Sequence, residues 1–132
     1  MPVKDTTAMI AGMEPVLQDG TWVYCAVPDG ADTTAAFAMI REAEGVTLIL
    51  PIAVARAAGH DVSVPMRRIT LNVFSDLEGI GLTAAVATAL AGAGISCNVI
   101  AAYHHDHVFV GAADAERAVA VLQKLQRTAS KP

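Results

Sequence analysis

The stretch from Ile69 to Ile95 constrains this chain more than any other. Ile69, Leu71 and Val73 alternate with Thr70 and Asn72. That is the pattern of a half-buried strand, because successive strand side chains point to opposite faces. Ser75-Asp76-Leu77-Glu78 follows, with Glu three residues after Ser, the spacing of a capping box. Gly79 and Gly81 delay regular helix, so the helix is expected over residues 81–91, with Gly92 and Gly94 closing it. Ile95 then opens a second strand. A helix held between two strands on such short connections has to pack over the sheet those strands form.

The rest of the chain extends this pattern. A strand over 95–103, a turn at His104-His105-Asp106 and a returning strand over 107–110 lead to a last helix over 113–127. Ala115, Ala118, Val119, Leu122 and Leu125 give that helix one apolar face. Residues 128–132 read as a frayed tail. In the first half, Met9, Ile10, Met13 and Leu17 recur at helical spacing, so a helix is expected over 5–17, kinked or ended by Pro15. Residues 21–27 read as a strand, with Trp22 and Tyr24 on one face and Val23, Cys25 and Val27 on the other. By pattern alone residues 36–42 are strand or helix. The short Glu44-Gly45 link to the apolar run 46–50 favours a hairpin. Glu42, Glu44 and Gly45 would then form its tip. Pro51 suits the first turn of a helix reaching about Ala58. The first half reads α-β-β-β-α and the second β-α-β-β-α, with Pro65 between them. The expected division is therefore 1–64 and 65–132.

Composition narrows the function. Of 132 residues, 54% are apolar and 17% charged, enough for a packed core and too apolar for disorder. The net charge is −4 and Arg67-Arg68 is the only adjacent basic pair, so no basic stripe exists to neutralise phosphates and no nucleic-acid partner is expected. No apolar run approaches the ~18 residues a membrane span needs, and residues 1–7 lack the layout of a signal peptide. Cys25 and Cys97 sit inside apolar strands and read as reduced core thiols of a cytoplasmic protein. Gly-x-Ser-x-Gly, phosphate-loop and His-Glu-x-x-His patterns are all lacking. No catalytic residue and no cofactor is expected.

Gly81, the Ala- and Leu-rich residues 82–91, Gly92, Gly94 and Ile95 resemble the signature stretch of ACT domains. Glu78 falls where that family often has an acidic residue, and Ile80 stands where it usually has Pro, a departure. Residues 41–48, residues 95–100 and the following His105-Asp106-His107 extend the likeness to a group of uncharacterised bacterial proteins built from tandem ACT-like domains. It spans about Met9 to Leu125. The amino-acid-sensing ACT pairs of aspartokinases and of arginine-sensing regulators are similar in kind. The resemblance implies an α+β fold of two ferredoxin-like ACT-type units, with antiparallel sheets and helices on one face. It also implies binding of a small molecule, typically an amino acid.

The loop Ser75, Asp76, Leu77, Glu78, Gly79, Ile80, Gly81 and Leu82 is the first candidate site. A helix start presents unpaired N–H groups and partial positive charge that suit a ligand carboxylate. Asp76 or Glu78 would answer an ammonium group, and the glycines let a ligand approach the backbone. Asn98, Val99 and Ile100 are the second candidate, because Asn is depleted in strands and its amide can meet polar ligand groups. The competing readings are an ordinary capped helix and a solvent-facing Asn. His104-His105-Asp106-His107 offers good metal ligands. Along a strand, however, His105 and His107 face one way and His104 and Asp106 the other, so no metal site is assigned. The expected function is a regulatory or sensory module, a homodimer or higher homo-oligomer, that binds a small molecule. The alternatives are a metal-dependent enzyme using His104–His107 with Glu78, and a ligand-free dimerisation module.

Overall fold

A computed structural model describes residues 2–131. The chain divides into two compact units, residues 20–66 and residues 1–19 with 67–132. The expected cut at 64/65 follows order along the chain. The spatial grouping instead places the N-terminal residues with the C-terminal half.

The smaller unit holds strands β2 (Trp22–Val27), β3 (Ala38–Glu42) and β4 (Gly45–Pro51) and helix α2 (Ile52–Ala57). Residues 36–42 resolve as hairpin: β3 pairs β4 antiparallel, with Glu42 opposite Gly45 across a two-residue turn. β2 pairs the other side of β4, Cys25 opposite Leu48. Alternation in β2 buries Val23, Cys25 and Val27, which pack with Val46, Leu48, Leu50 and Ala55. Pro51 ends β4 and immediately precedes α2, one position before the first helical turn where it was expected.

The larger unit is built from α1 (Thr6–Ala11), β1 (Pro15–Leu17), β5 (Met66–Leu71), α3 (Leu82–Gly92), β6 (Cys97–Ala101), β7 (Asp106–Gly111) and α4 (Ala115–Ser130). Its strands run in the order β1-β5-β7-β6. Ile69 and Leu71 of β5 and Val108 and Val110 of β7 face the helices. There they meet Met9, Met13, Leu82, Val86, Leu90, Ala118 and Leu122 in one core. The last helix buries the face expected of it but reaches Ser130, so residues 128–130 are helical rather than frayed.

The expected helix over 5–17 is two elements. Asp5 caps α1, its Oδ2 accepting the Ala8 N–H at 2.9 Å. Glu14 takes a left-handed φ of 38°, and Pro15 then starts a strand. Proline supplies no helical N–H and pushes the residue before it out of the helical region. β1 pairs β5 antiparallel, Val16 opposite Thr70. An edge of β5 therefore finds its partner among the first twenty residues. β5 starts three residues before Ile69 and ends two before Val73: after Leu71 the chain leaves the ladder, and Ser75 makes an isolated parallel bridge with Val3.

Candidate functional site

Three ties to the N-terminal segment set the path of the loop from Ser75 to Leu82. The Val3 N–H donates to Phe74 O and the Asp76 N–H to Val3 O, both at 2.8 Å. The Thr6 hydroxyl donates to Ile80 O. Inside the loop, Asp76 Oδ1 accepts the Glu78 N–H at 2.7 Å, a turn that Asx side chains favour. Gly81 stands at φ 104°, a conformation that favours glycine, and α3 begins immediately after it with no side-chain cap.

The capping box read from Ser75 and Glu78 does not form. The helix starts at Leu82, too far along for either side chain to cap it. Glu78 is exposed, its Oε2 4.0 Å from Lys4 Nζ. Ser75 instead donates its hydroxyl to Asp106 Oδ2 at 3.0 Å. Asp106 is not the turn residue its neighbours suggested. It is the first residue of β7, opposite Ala101 of β6, and is 8% exposed. The turn is made by residues 102–105, with the Ala102 N–H donating to His105 O at 3.0 Å.

These groups surround a cavity of about 140 Å³. Ser75, Asp76, Leu77, Gly79, Gly81 and Leu82 line it, together with Met9, Thr83, Ala101 and Asp106. Glu78 and Ile80 of the predicted loop lie outside the lining, Ile80 being 80% exposed. The second predicted group is not brought to this cavity. Asn98 is exposed opposite Phe109, and Val99 packs on the helix-facing core. Ile100 is half-buried opposite His107. Met9, Thr83, Ala101 and Asp106 line the cavity outside both groups expected from the sequence. Asp106 was detectable as a carboxylate opening the apolar run Val108-Phe109-Val110, but its neighbouring histidines masked it.

The side chains of His104–His107 go to separate tasks. His107 Nδ1 lies 3.0 Å from Thr70 Oγ1 and 3.4 Å from Arg68 Nη1. The His104 ring rests 5.4 Å from Phe74 and 5.0 Å from Tyr103. Among the described residues no three His, Cys, Asp or Glu side chains converge to hold a metal ion. Burial, then the Arg68 and His105 charges, hold the His107 pKa below its usual 6.5. The unfolded chain therefore binds more protons near that pH, and His107 contributes stability that is lost as pH falls from 6.5 toward the lower folded value. His107→Gln should flatten the dependence of melting temperature on pH below about 6.5. An unchanged slope would show that His107 does not carry it.

The free thiols Cys25 and Cys97 both titrate above the usual thiol value because burial penalises the thiolate. That makes them poor nucleophiles.

The ACT-domain pattern matches residues 2–67 and again residues 63–124. The chain belongs to the ACT-domain family. ACT domains are ligand-binding regulatory modules, here two in tandem. No curated protein matches the sequence. A Vibrio cholerae protein of unknown function, described as a possible transport protein, is 43% identical; the match covers 88% of this chain and 92% of that one at a TM-score of 0.78. An Agrobacterium tumefaciens protein shares the fold at 15% identity over 85% and 87% of the two chains, TM-score 0.67. The regulatory subunit of aspartate kinase from Thermus flavus does so at 12% identity over 85% and 96%, TM-score 0.62. No helix among the described residues is long and apolar enough to cross a membrane.

Proposed function

We propose that this ACT protein is a non-catalytic regulatory module that binds a small amino acid, or a comparable zwitterion, at the Ser75–Leu82 loop. The observation that carries the reading is the cavity beside the start of α3, with the buried Asp106 carboxylate held in it by Ser75. The helix start has no side-chain cap, so its first N–H groups and partial positive charge suit a carboxylate. Asp106 and Asp76 suit an ammonium group. A volume of about 140 Å³ falls below the roughly 300–1,000 Å³ of pockets for drug-sized ligands, which favours a ligand of few atoms. Occupancy acts by differential affinity for two states, which we take to be states of a homodimer or higher homo-oligomer. Two free thiols fit a cytoplasmic location.

Melting the protein against each of the twenty amino acids tests this. A ligand at a hundred times its Kd stabilises by about 2.7 kcal/mol, a rise of several degrees. Asp106→Asn keeps the shape and the Ser75 partner but removes the charge. It should weaken binding by about tenfold or more, the scale of one hydrogen bond to a charged group. A response that survives Asp106→Asn unchanged, or a flat result with all twenty, would overturn the reading.

A further inference from the structure

The cavity wall contains one residue that the second ACT repeat does not supply. Met9 comes from α1, is 1% exposed, and lines the cavity together with residues drawn from 75–106. It is pressed onto the loop: a Cβ placed on Gly79 would lie 3.0 Å from Met9 Sδ and 3.1 Å from its Cε. The segment that carries it is anchored to the same loop through the Val3–Ser75 bridge and the Thr6 hydroxyl. The polar part of the lining is Ser75, Asp76, Asp106 and the start of α3, which under the proposed function takes the ligand's charged groups. The rest of the ligand then meets Met9, Leu77, Leu82 and Ala101.

We infer that Met9 sets the largest side chain the ligand can carry, so that the N-terminal segment takes part in selecting the ligand. Of the rest of the apolar lining, Leu77 is 66% exposed, Leu82 is the first residue of α3, and Ala101 has no side chain to shorten beyond its methyl. Met9 reaches the cavity on a long unbranched chain whose truncation to Ala frees the space of Cγ, Sδ and Cε. A small change in such a wall shifts preference strongly, about tenfold or more for a single methylene.

The inference rests on the proposed function, and one titration series separates the two. Glycine, alanine, serine, valine, leucine, methionine and phenylalanine are titrated calorimetrically into the wild-type protein, Met9→Ala and Met9→Leu. Wild type should prefer the smaller of them. Met9→Ala should improve valine, leucine or methionine relative to alanine by about tenfold or more, while Met9→Leu, which keeps the volume, should leave the order as in wild type. If Met9→Ala does not melt cooperatively, Met9→Val makes the same comparison with a smaller truncation. A wild type that binds some of the seven, with an unchanged preference in the truncated variant, overturns this inference alone. A wild type that binds none of these seven overturns this inference, and one that binds none of the twenty overturns the proposed function with it.

Discussion

A chain cut to residues 65–132 should not fold, although it contains all but the first two residues of the ACT-pattern match at 63–124. Met9 and Met13, 1% and 0% exposed, belong to the same core as Ile69, Leu90, Val108 and Leu122. Burying each methionine contributes about 1.5–3 kcal/mol, so losing both removes a large part of the roughly 5–15 kcal/mol that stabilises a typical domain. The cut also strips β1 from β5 and leaves that edge unpaired. It removes the Ala11 carbonyl that accepts the Gln126 Nε2 hydrogen bond at 2.9 Å. So short a fragment has little stability to spare. Circular dichroism on heating should show no cooperative transition for 65–132 alone, and an added peptide of residues 2–19 in excess should restore one. A cooperative melt of the fragment by itself would show that the N-terminal segment decorates the unit rather than completes it.

Gly81→Ala should destabilise the protein by about 2–4 kcal/mol, combining the cost of a left-handed backbone with that of a crowded side chain. At φ 104° an L side chain is strained wherever it points. The new Cβ would also stand 2.8 Å from Thr6 Cγ2. The two causes separate in a double-variant cycle. Thr6→Ala should relieve the crowding in Gly81→Ala, giving a favourable coupling of about 0.5 kcal/mol or more, and leave the backbone cost in place. Gly92→Ala is the control: its Cβ meets nothing within 4 Å and its position is helical. That substitution should be neutral or stabilising by up to about 1 kcal/mol. Urea unfolding of the four variants gives all these values. A Gly81→Ala protein as stable as wild type would mean that the loop can relax away from α1.

Most of the secondary structure was legible because each element carries a one-dimensional mark. Alternation marked β2 and β5, the apolar stripe of Ala115, Ala118 and Leu122 marked α4, and the short Glu44-Gly45 link marked the β3–β4 hairpin. The errors share a cause. Ser75 and Glu78 have the spacing of a capping box, but that spacing acts only where a helix begins, and Gly81 moved the start to Leu82. Asp106 read as a turn residue and proved to be buried, because burial depends on the Ser75 hydroxyl from another element. Residues 15–17 fit the apolar period of a helix, and their fate as a strand depended on an open edge of β5 more than fifty residues later.

The sequence by itself determined the family, the fold class and the loop between the first strand and helix of the second repeat. Those follow from patterns local enough to read along the chain: glycine positions, alternation and helical period. Only the tertiary structure decided what faces that loop. It brought Val3, Thr6 and Met9 onto residues 74–81 and Asp106 onto Ser75. It also left Asn98 away from the cavity, exposed on β6. The physical reason is that a strand edge, a core gap and an unpaired carboxylate are each completed by whichever complementary group packing brings near, and sequence distance does not enter into that choice.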